Sequence, residues 1–357
     1  MTYRTLLKPL SWAYGAVLSV RNALYTQRIV AVQNPIQRCI AVGNLAVGGT
    51  GKTPAVEYLL RYLLTLGPAT TGQLATLSRG YGRQTRGFRL ATPADTAATL
   101  GDEPLQLYQN FGPAVCVTVG ENRAAALHRL AQERPQIRTV VLDDAYQHRA
   151  VQPHLNILLT DYAHPFYADD PFPGGRLRER RAGARRADII IITKCPVDMT
   201  PRQRRDMLVE IDPYAHQKVF FSRYEYGQPY PLLQTEPGRP LDLQTDILLL
   251  SAIANTDYLL TYLAGQSKSV QTLEFTDHHY FKEEDLVDLK RRFEQMDSRE
   301  KIIITTEKDA TRLELHRDFF LQNNLPVYVL PVEVVFCDDD EAGFQKAVKD
   351  FMMGFKV

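Results

Sequence analysis

Residues 41–54 read AVGNLAVGGTGKTP. Within this stretch Ala46-Val47-Gly48-Gly49-Thr50-Gly51-Lys52-Thr53 fits the phosphate-binding loop pattern, with Ala in place of the first Gly. Glycines let successive backbone N–H groups turn toward a polyphosphate without interference from a Cβ. Lys52 is placed to reach the outer phosphates, and the Thr53 hydroxyl to ligate Mg²⁺. The flanks agree. Cys39-Ile40-Ala41-Val42 reads as the strand that feeds the loop. Pro54 suits a first helical turn, and Val56, Leu59, Leu60 and Leu63 recur at helical spacing after it. A Gly-rich surface turn would not need this strand, this helix and the Gly-Lys-Thr end together.

Outward from the loop, apolar β-rich runs alternate with helix-like segments. Strands are expected at 39–44, 73–77, 115–119, 138–143, 156–161, 187–193, 218–224, 246–251, 301–305 and 327–332. Helices are expected at 54–66, 104–110, 121–133, 200–211, 256–265, 283–295 and 340–353. The rhythm predicts an α/β protein of the P-loop NTPase type, with a mostly parallel sheet covered on both faces. Gly227, Pro229, Pro231, Pro237, Gly238 and Pro240 cluster between 226 and 245, and the alternation restarts with DILLLSAIAN. This predicts a P-loop domain over 29–226 and a smaller α/β domain over 227–357, preceded by an N-terminal helix within 1–28.

The 357 residues suffice for two domains, and a hydrophobic share of 45% allows a sizeable core. The net charge of +1 exerts no global pull toward nucleic acid, so any anion site has to come from local clustering. Cys39, Cys116, Cys195 and Cys337 lie far apart in or beside apolar runs, which predicts buried thiols in a reducing compartment. Residues 6–25, LLKPLSWAYGAVLSVRNALY, form an amphipathic helix in which Lys8, Ser11, Gly15, Ser19 and Asn22 make one narrow polar stripe. Leu6, Leu10, Ala13, Val17, Val20 and Leu24 face the other way. Lys8 and Arg21 cut the apolar run short of the roughly 20 residues that span a bilayer. A helix lying in a membrane interface and a helix packed on the protein's own core both fit this pattern.

Other segments complete a nucleotide site. Thr139-Val140-Val141-Leu142-Asp143-Asp144 delivers two carboxylates to the carboxyl edge of the sheet, where one would hold Mg²⁺ as a hard oxygen ligand. Gln147 and His148 follow at the same edge. Leu77-Ser78-Arg79-Gly80-Tyr81-Gly82 reads as a strand-exit loop able to grip a phosphate or a sugar. Gly101-Asp102-Glu103-Pro104 opens a helix, and its acids suit either plain capping or a general base. Residues 174–186, GGRLRERRAGARR, carry six arginines that match phosphate geometry, and acidic lipid head groups fit them better than nucleic acid. Asp277-His278-His279 and Thr305-Thr306-Glu307-Lys308-Asp309 concentrate further polar groups at segment ends.

Taken together these segments resemble the tetraacyldisaccharide 4'-kinase family of lipid A biosynthesis. The matching strings, in family order, are LLKPLSWAYGAVLSVRNALY, VGNLAVGGTGKTP, LSRGYG, GDEP, LDDAYQHR, PGGRLRE, ITKCP, SAIANT, FTDHHYF and TTEKDA. Ala145-Tyr146 stands where the family often has Gly followed by Leu or Phe, and Arg149 is followed by Ala150. The resemblance implies ATP- and Mg²⁺-dependent phosphorylation of the 4'-hydroxyl of a tetraacyl glucosamine disaccharide 1-phosphate. It also implies a peripheral or monotopic enzyme on the cytoplasmic face of the inner membrane, with a lipid substrate, no nucleic acid and no obligate protein partner. By the same resemblance Asp102 is the catalytic carboxylate and His278 its partner, the choice over His279 resting on the Asp-His register. Gly48, Gly49, Thr50, Gly51, Lys52 and Thr53 bind the nucleotide, and Thr53, Asp143 and Asp144 the metal. Arg79, Glu103, Arg123, Gln147, His148, Arg178 and Glu179 are further candidates at the acceptor site. Two other classes share the loop. A GTPase-like switch needs Asp two residues after Thr193-Lys194, where Pro196 stands. A membrane-associated partitioning ATPase needs Lys where Val47 stands.

Overall fold

The computed structural model describes residues 3–67, 72–233 and 238–354. Pro237 and the side chain of Leu6 lie outside the described residues. The strands are β1 (Arg38–Asn44), β2 (Leu74–Ser78), β3 (Arg89–Leu90), β4 (Val115–Val119), β5 (Thr139–Asp143), β6 (Leu155–Asp161), β7 (Ile189–Thr193), β8 (Lys218–Tyr226), β9 (Tyr230–Pro231), β10 (Asp246–Ser251), β11 (Ser269–Glu274), β12 (Lys301–Thr306), β13 (Val327–Leu330) and β14 (Val332–Phe336).

The first sheet runs β14-β8-β7-β6-β1-β5-β2-β4-β3. Its interior is parallel, and only the edge strands β14 and β3 run antiparallel to their neighbours. Strands such as Ile189–Thr193 are buried along their whole length because helices cover both faces. Alternation sorts each strand between two cores. Ile40, Val42, Val141 and Ile157 pack with Leu59 and Leu60 of helix Lys52–Thr65. Cys39, Ala41, Val140 and Leu142 pack with Leu127 and Leu130 of helix Arg123–Glu133 on the other face. Cys39, Cys195 and Cys337 are buried free thiols, whereas Cys116 is only half-buried.

The second sheet runs β11-β10-β12-β13-β9. Its middle strands bury Leu248, Leu250 and Ile303 on one face and Ile247, Leu249, Ile302 and Ile304 on the other. The sheets divide the chain differently from the expected 29–226 and 227–357. The chain leaves the first sheet at Tyr226 but returns to it at β14, which pairs with β8 from Val332↔Tyr226 to Phe336↔Ser222. Helix Asp340–Gly354 then buries Phe344 and Val348 in the first sheet's core. The second sheet is thus an insertion between two neighbouring strands of the first.

Helix Tyr3–Thr26 turns its polar stripe inward. Ser11 and Gly15 are buried, while Trp12 is 74% and Val17 69% exposed, with Leu10 and Val20 similar. The inward contacts are polar and close. Gly174 N–H donates to Ser11 Oγ at 2.7 Å, and Asn22 Nδ2 donates to Glu179 Oε2 at 2.8 Å. An added Cβ at Gly15 would come within 2.8 Å of Arg180 Nε. Among the described residues no helix is long and apolar enough to cross a membrane.

Candidate active site

The loop between β1 and helix Lys52–Thr65 is shaped by two glycines of positive φ, Gly48 and Gly51. A Cβ on Gly51 would meet the Tyr224 hydroxyl at 2.4 Å, so the backbone conformation and the packing both require glycine there. Gly48 has open space where a side chain would stand, and Gly49 faces only Ala254 at 3.8 Å. The loop is held from beneath. Asn44 Nδ2 donates to Thr50 Oγ1 at 2.7 Å, and Thr193 Oγ1 donates to the Thr50 carbonyl at 2.9 Å. Lys194 reaches the Gly49 carbonyl and pairs with Asp161 at 3.1 Å. Asn44 ends β1 itself, but Thr193, Lys194 and Asp161 arrive from the ends of β7 and β6, which the spacing of Gly-Lys-Thr does not reveal.

The carboxyl end of β5 brings Asp143 and Asp144 beside the loop. Lys52 Nζ lies 3.8 Å from Asp144 Oδ1, and Arg178 Nη1 lies 2.9 Å from Asp144 Oδ2. Asp143 is fully buried, and its Oδ1 has no hydrogen-bond partner. Burial, with Glu103 and Asp144 nearby, pushes the Asp143 carboxyl up to about 7 against the pull of Lys52 and Arg123. An orphaned carboxylate oxygen beside a second acid and a phosphate loop fits a divalent cation, whose charge would stabilise the ionised form. Thr53 lies in the first turn of the helix beside Lys52. Asp143 and Asp144, with Thr53 of the adjoining helix, are the side chains here that could hold a divalent cation.

Asp102 opens helix Asp102–Phe111 and is 4% exposed. Gly101 (φ +99°) permits the approach of this turn to Gly80 and Tyr81, with a would-be Cβ 3.1 Å from the Tyr81 carbonyl. From the second sheet, His278 Nδ1 comes within 2.9 Å of Asp102 Oδ2. His279 does not approach Asp102. Its Nε2 meets Asp285 at 2.8 Å and its ring stacks on Phe275. Tyr81 packs against the His278 ring at 4.6 Å between centroids, and His278 adopts a left-handed backbone (φ +60°) uncommon outside glycine. Burial opposes ionisation of Asp102. The His278 hydrogen bond and the charges of Lys308 and Arg312 outweigh it and hold the carboxyl below its ordinary range. Arg312 Nη1 is 3.5 Å from Asp102 Oδ2, and Lys308 Nζ is 3.4 Å from Glu103 Oε1.

The remaining candidates fall into two groups. Arg123 is buried, donates from Nη1 to the Gly120 carbonyl at 2.6 Å, and has its pKa lowered by burial to about 10. Burial, then Arg123, Arg21 and Arg79, lower His148 to about 4, so its imidazole is neutral in electropositive surroundings. Gln147 and Glu179 instead act as struts. Gln147 Nε2 donates to the Asn44 carbonyl at 2.7 Å and to Glu179 Oε1 at 3.2 Å. Glu179 is also held by Arg186 at 2.7 Å and by Asn22, which ties the phosphate loop to the N-terminal helix. The arginine run is partly consumed in the same way. Arg176 pairs with Asp169, Arg178 with Asp144 and Arg186 with Glu179, while Arg180 lies over Trp12. Lys194 and Lys308 stood out in the sequence only as parts of polar segment ends, not as site candidates, and Arg312 not at all. The strings ITKCP and TTEKDA contained two of them, but nothing local pointed to their partners, Asp161 for Lys194 and Glu103, Asp277 and His278 for Lys308.

The model of a family described as tetraacyldisaccharide-1-P 4'-kinase matches residues 3–352. The chain belongs to this family. A tetraacyldisaccharide 4'-kinase of Bacteroides thetaiotaomicron is 40% identical over 354 residues, covering 96% of this chain and 91% of that protein. Its counterpart in Flavobacterium psychrophilum is 37% identical over 351 residues, covering 98% and 97%. A crystal structure of LpxK from Aquifex aeolicus, described as an "apo" form in complex with ATP, superposes with a TM-score of 0.71. It covers 98% of this chain and 99% of its own at 23% identity, a likeness of fold. Membership in the kinase family decides against the switch and partitioning-ATPase readings. Pro196 and Val47 had already counted against them.

Proposed function

We propose that the seam between the two sheets is the active centre of an ATP-dependent kinase of lipid A biosynthesis. It phosphorylates the 4'-hydroxyl of a tetraacyl glucosamine disaccharide 1-phosphate. The observation that carries the site assignment is the meeting of Asp102 with His278, next to Glu103, whose charge acts on the same Asp143 that Lys52 of the phosphate loop does. Asp102 is buried yet stays ionised, as a base must. In the transfer, the acceptor oxygen attacks the γ-phosphorus, the bond from phosphorus to the β-bridging oxygen breaks, and ADP leaves. The hydroxyl proton passes to Asp102. Lys52 and the backbone N–H groups of residues 48–53 bind and orient the phosphates, which is most of what phosphoryl transfer asks of a protein. Mg²⁺ held by Thr53, Asp143 or Asp144 would neutralise charge on the phosphate oxygens. Arg79, Arg123 and His148 make the recess that receives the acceptor, while Gln147, Arg178 and Glu179 hold its wall.

The outward apolar face of helix Tyr3–Thr26 supports a peripheral position on the inner membrane's cytoplasmic face. Four large apolar side chains point to solvent from a helix whose polar side is docked. Water offers no reason for that orientation, and a lipid interface does. The N-terminal helix, a P-loop domain and the second-sheet insertion are the three parts we assign.

A transfer assay with labelled ATP and detergent-dispersed tetraacyl disaccharide 1-phosphate tests the reading. Lys52→Ala is expected to lower turnover by about 10²-fold or more, because it removes a charge aimed at the transferring group. Turnover near wild type in that variant would show that the phosphates sit elsewhere.

A further inference from the structure

His278 is gripped at both ring nitrogens. Nδ1 lies 2.9 Å from Asp102 Oδ2, and Nε2 lies 3.2 Å from Lys308 Nζ. An ammonium group has protons to give and no lone pair to offer. Asp277 Oδ2, the other charged group facing Nε2, is 3.7 Å away and outside hydrogen-bond reach. Nε2 therefore presents its lone pair to the nearer Lys308, and the ring's proton is assigned to Nδ1, where it is donated to Asp102. The partner of one imidazole nitrogen sets the state of the other.

We propose that Lys308 is a positioning residue for phosphoryl transfer: it fixes His278 as the Nδ1–H tautomer and so supplies Asp102 with a neutral hydrogen-bond donor. The inference rests on the reading of Asp102 as the base.

Lys308 stands in the first turn of helix Glu307–Leu313, directly after β12. It contacts Asp277 Oδ1 at 3.0 Å and Glu103 Oε1 at 3.4 Å. Burial acts against its charge, but Glu103, Asp102 and Asp277 outweigh burial and hold its pKa above the ordinary lysine value. Lys308 thus remains a donor. Its contacts straddle the seam, with Glu103 on the first-sheet side and Asp277 and His278 on the second. Arg312, one turn further along, is buried, pairs with Asp309 and reaches Asp102. Asp309 is in turn anchored by the Ala252 N–H at 3.1 Å and the Thr306 hydroxyl at 2.8 Å. Lys308 therefore projects from a helix whose base is pinned to its own sheet.

The chemical consequence is a division of labour. With its only lone pair turned to Lys308, His278 has no basic nitrogen free for the acceptor. The proton released by the attacking hydroxyl goes to Asp102, and His278 orients that carboxylate through the Nδ1–H bond. Tyr81 packs beside the same imidazole, its ring tilted at 52° to it.

The experiment uses the full chain, ATP and the detergent-dispersed lipid acceptor, with Lys308→Met, Lys308→Arg, His278→Ala, Asp102→Ala and the double variant Lys308→Met/His278→Ala. Lys308→Met is expected to lower kcat by about 10- to 100-fold, part of a general-base contribution, with KM for ATP changed by less than about twofold. Lys308→Arg, which also donates to Nε2, is expected to recover most of that loss. In the His278→Ala background Lys308→Met is expected to cost less than about twofold more, because residues acting as one unit are not additive. Nitrogen-15 spectra of labelled histidine are expected to show His278 as a single Nδ1–H tautomer in the parent, and a protonated Nε2 in Lys308→Met. Multiplicative losses in the double variant, an unaltered tautomer in Lys308→Met, or a raised KM for ATP with kcat kept would each overturn the inference. Undiminished turnover in Asp102→Ala would instead overturn the reading of Asp102 on which it rests.

Discussion

Helix Tyr3–Thr26 and the second sheet both bring polar side chains to the nine-stranded domain, the second sheet adding aromatic contacts such as Tyr262 stacked on Tyr226 of β8, but they leave opposite things outside. The helix places Ser11, Gly15 and Asn22 against residues 174–180 and turns Leu10, Trp12, Val17 and Val20 outward. The second sheet buries its apolar residues in its own cores and brings Asp277, His278, Lys308 and Arg312 to Asp102 and Glu103. A polar seam is weaker per unit area than an apolar one, because each contact exchanges a hydrogen bond with water for one with protein. At the helix that weakness leaves the apolar face available for a lipid surface. At the second sheet it gathers charges around Asp102, the carboxylate proposed as the base. On the proposed function one contact serves location, the other chemistry.

The comparison breaks first at the outward face. Val17→Ser with Val20→Ser removes two side chains that a bilayer would cover, and burial of each is worth roughly 1.5 kcal/mol or more. Co-sedimentation with anionic vesicles is expected to fall by about 10²-fold, with the thermal midpoint and transfer to detergent-dispersed acceptor unchanged. Equal sedimentation of parent and variant would mean that the helix face is not the anchor. High salt is expected to leave most of the parent's binding intact, since screening acts on charge and not on apolar burial.

A smaller effect sharpens the seam between the sheets. Glu307, beside Lys308, lies near Glu57, and burial together with that charge pushes its carboxyl from 4.5 up to about 7. A raised folded value means that the protonated form is favoured on folding. Its stabilising contribution is complete below pH 4.5 and is lost as pH rises through about 7. Glu307→Gln removes this titration, so the variant is expected to be more stable than the parent at pH 8. The gain should be roughly 1–3 kcal/mol, since each tenfold change in proton affinity between the folded and unfolded chain is worth about 1.4 kcal/mol. It should shrink toward pH 5. Thermal melts at both pH values test it, and a gain that does not change with pH would place the charge cost elsewhere.

The smallest effect lies at the helix's inner face. Asn22→Ala removes the bond to Glu179 while Arg186 and Gln147 remain on that carboxylate. The loss should be about 1 kcal/mol of stability, read as a lowered thermal midpoint, with vesicle binding retained. A loss of vesicle binding in step with stability would mean that docking and anchoring cannot be separated.

Local pattern was enough for the phosphate loop, for the parallel strands that feed it, and for the acids at the end of β5. Each of these is written in consecutive residues whose spacing has one physical reading. The Gly-Lys-Thr end follows a buried strand, alternating apolar pairs sort to two faces, and two carboxylates close the apolar run Val140-Val141-Leu142. The narrow polar stripe of residues 6–25 was equally legible, but its direction was not, because a helical wheel says which residues share a face and not what that face meets. Capping chemistry and a general base were indistinguishable at Gly101-Asp102-Glu103-Pro104 for the same reason. Only the chain's return to β14 decided the architecture, by making the second sheet an insertion that faces the first sheet's carboxyl edge. That placement set His278, Lys308 and Arg312, more than 170 residues beyond Asp102, around one buried carboxylate. Their roles depend on distance in space, which no spacing along the chain encodes.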